Sequence, residues 1–424
     1  MLFERNEYLQ RIIDKMWNGQ IKVITGIRRC GKSILLFELF YDYLIKNGVP
    51  KQNIIKIELD KIKNVKFRNP VRLSKYIENK ISNIKEKYYV FIDEIQFCKS
   101  IPDKDEPDIF INIYDMLNEL KDFKNLDVYV TGSNSKMLSR DIETEFRGRA
   151  SQIRIFPLSF KEFHNIKKGD IKDNLQQYML YGGMPFLTTL KKNTEKKEYL
   201  ISLFNEVYIR DIIERNNLER QDVLENILDY ISSTISSLTN PNNITNSLNS
   251  IKHLKVSINT VSDYIRFLQD AFLVNETKRY DIKGKRYFEY PNKYYFADLG
   301  LRNARLNFRQ FDTGHIMENI IYNELISRGY SVDIGVVADR RNKSNIQKEI
   351  DFVVNYGDKR LYIQSAFELT SREKEISEID SLKLAKDFFK KIIIQNDIPE
   401  SYLDESGIFH CKLTDFLLDS NIML

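Results

Sequence analysis

The stretch from Val23 to Leu36, VITGIRRCGKSILL, carries the pattern G-x-x-x-x-G-K-S. An apolar, β-branched run, IKVITG, leads into it. KSILLFELFYDYLI follows, with Leu35, Leu36, Leu39, Phe40 and Leu44 at helical spacing. A strand, a glycine-bounded loop and a helix in this order form the setting in which the pattern grips phosphate. Gly26, Ile27, Arg28, Arg29, Cys30, Gly31, Lys32, Ser33 and Ile34 are the candidate nucleotide-binding residues. Their amides are expected to point inward, aided by the partial positive charge of the helix N-terminus. Lys32 is placed to reach the β- and γ-phosphates of ATP, and Ser33 to ligate Mg²⁺.

A partner strand ending in acid is expected in the same domain, and KYYVFIDEIQ supplies one. There Asp93 fits a Mg²⁺ carboxylate and Glu94 the group that orients and deprotonates the attacking water. A third strand, LDVYVTGSN, ends at Ser133 and Asn134, which either sense the γ-phosphate or form a strand-end turn. In EFRGRASQIRIF, Arg147 and Arg149 flank a glycine. They are either arginines that stabilise charge on the phosphoryl group, within the chain or across an interface with a second copy, or solvated loop residues.

With 424 residues, 42% of them hydrophobic, the chain exceeds one ordinary core, and two or three domains are expected. The 65 basic and 60 acidic residues leave a net charge of +5, too mild to argue for nucleic acid alone. Cys30, Cys98 and Cys411 are too few and scattered for a zinc ribbon or a disulfide framework, and free thiols suit a reducing cytosol. The opening MLFERNEYLQ lacks the basic-then-apolar layout expected of a signal peptide, and no apolar run reaches the roughly 18 residues of a membrane span. A soluble cytoplasmic protein is expected.

In the second half, Arg210 and Asp211 read as a surface pair on a helix. After the turn-rich TNPNN, Ile244, Leu248, Ile251 and Leu254 line one helical face. A tight turn follows, and Ser257 is placed to cap a helix whose stripe is Val261, Ile265, Leu268 and Phe272. The next segment alternates like a hairpin with Lys283, Gly284 and Lys285 near its tip. A helix-turn-helix and hairpin together predict a winged helix. Asn259, Thr260, Asp263 and Arg266 make its polar face nearly neutral. The hairpin is cationic, and Lys283, Lys285 and Arg286 are candidate contacts to DNA phosphate; docking to protein is the competing reading. In the last segment, a helix bearing Glu318 and Glu324 precedes two strands, KEIDFVVNY and KRLYIQSA. This layout resembles the PD-(D/E)XK nuclease fold, with Glu318 and Asp351 in its first two acidic places. Gln364 stands at the third and Ala366 where a lysine belongs, so a degenerate site is expected.

The motifs GIRRCGKS, FIDEIQ, VTGSN, FRGRA and FPLSFKEF, in this order, resemble an AAA-type P-loop ATPase family of archaea and bacteria, near the signal-transducing ATPases. YGGMPF, from Tyr181 to Phe186, matches the lid region of that family. The resemblance implies that Arg29, with Arg28 beside it, frames the loop or reaches a nearby phosphate or carboxylate. It also implies that Arg210 and Asp211 open a C-terminal domain of unassigned function. The expected fold class is α/β: a parallel-sheet P-loop ATPase domain over 1–162, a helical lid or linker over 163–204, a helical region with a winged helix over 205–305, and a small nuclease-like α/β domain over 306–424. Mg²⁺-dependent ATP hydrolysis moving the C-terminal module is the expected function. A nucleotide-gated switch with negligible turnover and an ATP-driven nuclease are the alternatives. The expected partners are nucleotide, an unidentified protein and, as open candidates, DNA and a second copy of the chain.

Overall fold

The computed structural model describes residues 3–81, 83, 85–132, 148–339, 346–367 and 372–423. The chain divides into two compact units, Met1–Phe156 with Asp270–Phe272, and Pro157–Gln269 with Leu273–Leu424.

The first unit is built on a five-stranded parallel sheet. Its strands are β1 (Ile21–Gly26), β2 (Ile54–Glu58), β3 (Tyr88–Asp93), β6 (Leu126–Thr131) and β7 (Ala150–Ile155), with β4 (Ile101–Pro102) and β5 (Phe110–Ile111) forming a small separate hairpin. The spatial order is β2-β3-β6-β1-β7. Every residue of β1, β3 and β6 is buried. Helices cover both faces of a parallel sheet, which is why these strands read as continuous apolar runs rather than alternating ones. Leu73 and Ile77 from the helix Pro70–Lys80 and Met116, Leu117 and Leu120 from Ile113–Leu120 pack against the strands. Two charges interrupt the runs, Lys22 and Asp127, and they pair with each other inside the sheet. Asp127 also accepts from the Trp17 amide (3.0 Å) and the Tyr129 hydroxyl (2.7 Å), so its buried oxygens are satisfied.

The second unit begins with helices and ends in an eight-stranded mixed sheet. Its strands are β8 (Val274–Thr277), β9 (Arg279–Asp281), β10 (Arg286–Tyr287), β11 (Lys293–Phe296), β12 (Ser331–Asp339), β13 (Ile346–Tyr356), β14 (Lys359–Ala366), β15 (Lys390–Gln395), β16 (Tyr402–Leu403) and β17 (Ile408–Lys412). The large sheet runs β10-β9-β12-β13-β14-β15-β17-β16, and β8 pairs with β11 separately. The hairpin β9–β10 therefore belongs to the same sheet as β13 and β14. Pairing of β9 with β12 crosses the boundary expected at residues 305 and 306, because backbone hydrogen bonds continue where the sequence suggested a separate module.

The expected helix pair forms as Pro241–Ile251 and Ile258–Asp270. Ser257 accepts the Thr260 amide at 3.1 Å, and Ile244, Leu248, Val261, Ile265 and Leu268 are buried. Ile251 departs from the expectation: it is 69% exposed, at the end of its helix, so the apolar stripe is one turn shorter. YGGMPF closes the helix Ile171–Tyr181. The Asp298 carboxylate accepts the Gly183 amide at 2.7 Å, and the Asn303 amide donates to the carbonyls of Met179 (3.0 Å) and Leu180 (2.9 Å). Asp298 also caps Leu299–Arg305, so the motif splices two helices of the second unit. Arg210 and Asp211 each pair one turn along their own helix, with Glu214 (2.7 Å) and Arg215 (2.8 Å).

Candidate functional site

Two constellations of charged residues stand out, one in each unit. The first gathers at the carboxyl ends of β1, β3 and β6. Gly26 ends β1 at φ 145°, and a Cβ there would lie 2.1 Å from the Ile155 carbonyl oxygen, so only glycine lets the loop leave the sheet at this point. Gly31, at φ 102°, precedes the helix that starts at Lys32. That helix runs from Lys32–Ile34 through a π-helical stretch, Leu35–Phe40, into Tyr41–Lys46. Cys30 is buried beneath the loop, while Arg28 is half-buried and Arg29 exposed. Arg5, which carries no motif in the sequence, is buried and donates to the carbonyls of Cys30 (3.0 Å) and Phe156 (2.9 Å). It lashes the loop to the chain just beyond β7.

Lys32 turns back over the loop and donates to the carbonyls of Gly26 (3.0 Å) and Ile27 (3.1 Å). Ser33 donates to Asp93 Oδ1 at 3.1 Å. The Thr131 hydroxyl donates to the same oxygen and accepts the Glu94 amide at 3.1 Å. β6 lies beside β3, so its last residue reaches both acids at that strand's end. Burial pushes the Asp93 carboxyl above the usual range, against the hydrogen bonds from Thr131 and Ser33 that favour its ionised form. Glu94 adopts a left-handed backbone, φ 55° and ψ 55°, and the Gln96 side chain donates to Glu94 Oε2. The structure thus brings Lys32, Ser33, Asp93 and Glu94 to one end of the sheet. Thr131 and Gln96 join them; both sit inside the motifs VTGSN and FIDEIQ, whose pattern alone gives them no role. Ser133, Asn134 and Arg147 lie outside the described residues. Arg149 is exposed, and its carbonyl accepts the Ile21 amide at 3.1 Å.

The second constellation lies in the second unit. Glu318 comes from the helix Thr313–Ser327, Asp351 from β13 and Gln364 from β14. All three are buried. Gln364 Oε1 accepts the Asp351 amide at 3.2 Å, and Asp351 Oδ2 accepts the Ser365 amide at 2.8 Å. Between the acids stands Lys293 of β11, whose Nζ lies 2.8 Å from Glu318, 2.7 Å from Glu349 and 3.7 Å from Asp351. The Tyr295 hydroxyl donates to Glu318 Oε1 at 2.7 Å. Burial works against the Lys293 ammonium, yet the charges of Glu318, Asp351 and Glu349 outweigh it and hold its pKa above the usual lysine range. Burial and then the Glu318 charge push the Asp351 carboxyl up to about 7. The sequence offered no cation at the expected spacing; β11 delivers one from an earlier strand. The two-residue steps Lys293–Tyr295 and Glu349–Asp351 were the available signal, since alternate strand residues share a face. Glu324 is occupied elsewhere, with Arg328 at 2.7 Å.

At the hairpin tip, Lys283, Lys285 and Arg286 are exposed. Arg286 lies 3.6 Å from Asp281, and on the helix before it Arg266 pairs with Asp263 at 2.7 Å.

Comparison with known proteins matches an AAA domain to residues 18–164, and domains of unknown function to residues 172–312 and 313–411. An uncharacterized protein of Haemophilus influenzae is 33% identical over 98% of this chain and 99% of its own length. The chain belongs to its family. Uncharacterized protein MJ1544 of Methanocaldococcus jannaschii is 30% identical over 90% of this chain and 84% of its own. Among solved structures, the Aeropyrum pernix ORC1 protein in complex with DNA is 13% identical, covering 72% of this chain and 93% of that one, with a TM-score of 0.29. AMPPCP-bound DnaA from Aquifex aeolicus is 16% identical, covering 62% and 86%, with a TM-score of 0.28. This family member carries an AAA-type P-loop domain on a parallel α/β sheet. No helix among its described residues is long and apolar enough to cross a membrane.

Proposed function

We propose that the AAA domain binds ATP with Mg²⁺ and hydrolyses it to ADP and phosphate. The observation that carries this reading is the chain of contacts Ser33–Asp93–Thr131–Glu94 beside the loop lysine. The residues fit a magnesium–phosphate group: a serine hydroxyl and a carboxylate meet at 3.1 Å next to a glycine-bounded loop. Ser33 and Asp93 would hold Mg²⁺, which would offset the negative charge that builds on the phosphoryl group. Lys32 exchanges its two loop carbonyls for phosphate oxygens. Thr131 fixes Asp93 and the Glu94 backbone together, so the metal carboxylate and the water-orienting carboxylate keep one spacing. Glu94 takes the proton of the attacking water.

Lys32→Ala is expected to abolish ATP binding in equilibrium dialysis. Glu94→Gln should retain binding and lose turnover by about 10²- to 10⁴-fold. Hydrolysis by Glu94→Gln at the wild-type rate would remove Glu94 from its role.

The bond from Gln96 to Glu94 supports a second reading, a nucleotide-gated switch with slow turnover. There, Gln96 holds the water-activating carboxylate until a partner releases it. Under single-turnover conditions without a partner, Gln96→Ala should then hydrolyse ATP several-fold faster than wild type; equal rates leave the plain ATPase. Contact of the hairpin with DNA rests on Lys283 and Lys285, since Arg286 faces Asp281 and Arg266 faces Asp263.

A further inference from the structure

The nuclease-like layout of the second unit implies a divalent metal held by Glu318, Asp351 and the residue at 364. The residues present do not fit one. Gln364 contributes a neutral amide, and its oxygen is bonded to the Asp351 backbone. Asp351 Oδ2 is bonded to the Ser365 amide. Glu318 Oε1 already accepts from both Lys293 Nζ and the Tyr295 hydroxyl. The side chains of Lys293 and Glu318 are only 4% and 9% exposed. Three carboxylates surround one ammonium: Glu318 and Glu349 lie within hydrogen-bond distance of its donors, and Asp351 adds its charge from 3.7 Å.

We propose that Lys293 is the resident cation of this centre. Its ammonium stands where the fold would otherwise hold a metal ion. It ties β11 to β13 and to the helix Thr313–Ser327, and it keeps the unit folded without a divalent ion. A soluble ion would have to displace a tethered charge whose local concentration is set by the chain itself, so Mg²⁺ and Mn²⁺ are shut out. The phosphodiester chemistry that needs them is shut out as well. Removing the ammonium leaves an acidic, oxygen-lined centre of the kind hard divalent cations take. None of this depends on ATP hydrolysis, and the variants below leave the P-loop intact.

The test is Mn²⁺ uptake by the full-length chain without nucleotide, read from the loss of the free-ion electron paramagnetic resonance signal. Wild type is expected to take up no Mn²⁺ that depends on Asp351. Lys293→Met should take up about one ion per chain and melt at a higher temperature with Mn²⁺ than without. Adding Asp351→Asn should abolish that gain. If Lys293→Met folds only in Mn²⁺, the return of its far-ultraviolet circular dichroism is itself the gain of binding. Four results would overturn the proposal. One is a folded Lys293→Met that takes up no ion; a second is a Lys293→Met that stays unfolded at millimolar Mn²⁺. Another is wild-type uptake that Asp351→Asn removes. The last is Mn²⁺-dependent cutting of linear DNA by wild type that Asp351→Asn abolishes, which would make the centre an active nuclease.

Discussion

Lys32 and Lys293 are both buried beside acidic strand residues, yet their partners differ in kind. Lys32 is bonded to two neutral carbonyls of its own loop. Lys293 is bonded to carboxylates from the helix Thr313–Ser327 and from β13 of the large sheet. A bond to a neutral carbonyl contributes about 0.5–1.5 kcal/mol net and can be exchanged for a phosphate oxygen at little loss. An ammonium among buried carboxylates has no such exchange, because leaving them uncompensated costs far more. The comparison separates a lysine poised for a ligand from one that has become part of the fold. Proximity to acids does not distinguish them; the charge of the partner does.

The sharpest way to break this comparison is to truncate both lysines and measure stability by urea denaturation without nucleotide. Lys293→Ala is expected to destabilise the second unit by about 3–5 kcal/mol. Lys32→Ala should cost about 1 kcal/mol, two modest hydrogen bonds less the relief of the vacated burial. Equal losses would erase the distinction.

A smaller effect is expected from pH. Asp351 titrates near 7 in the folded chain, above the ordinary carboxylate value of about 3.9. The folded state therefore holds this proton more tightly than the unfolded one. Its contribution to stability is fully present below pH 4 and is lost as pH rises through 7. Wild type should lose stability relative to Asp351→Asn between pH 5 and pH 7.5; parallel curves would show that Asp351 does not carry the proton.

The smallest effect concerns the hairpin. Charge reversal at Lys283 and Lys285 should lower the slope of log K against log salt by about 1–2 for duplex DNA, as expected for loss of two phosphate contacts. An unchanged slope, or no binding at low salt, leaves protein docking as the use of this surface.

The P-loop and its acidic strand were legible from sequence because each is a local device. Glycines, lysine and serine lie within one turn of chain, and Asp93 and Glu94 close a strand whose apolar run marks its burial. Thr131 carries no local signal that sets it apart from Ser133 and Asn134; it meets both acids only because β6 lies beside β3. Arg5 was not legible, since a lone arginine before a short helix carries no pattern. The same limit governs the second unit. Its helix–strand–strand layout could be read, and so could the absence of a lysine at Ala366. The cation that replaces it lies 25 residues before Glu318, on a strand outside the large sheet. Sequence alone determined the local phosphate-gripping chemistry, because spacing along one loop sets its geometry. Only the tertiary structure decided what stands among the C-terminal acids. Burial makes an uncompensated charge so costly that the fold brings Lys293 from a distant strand to meet them, and no spacing rule records that meeting.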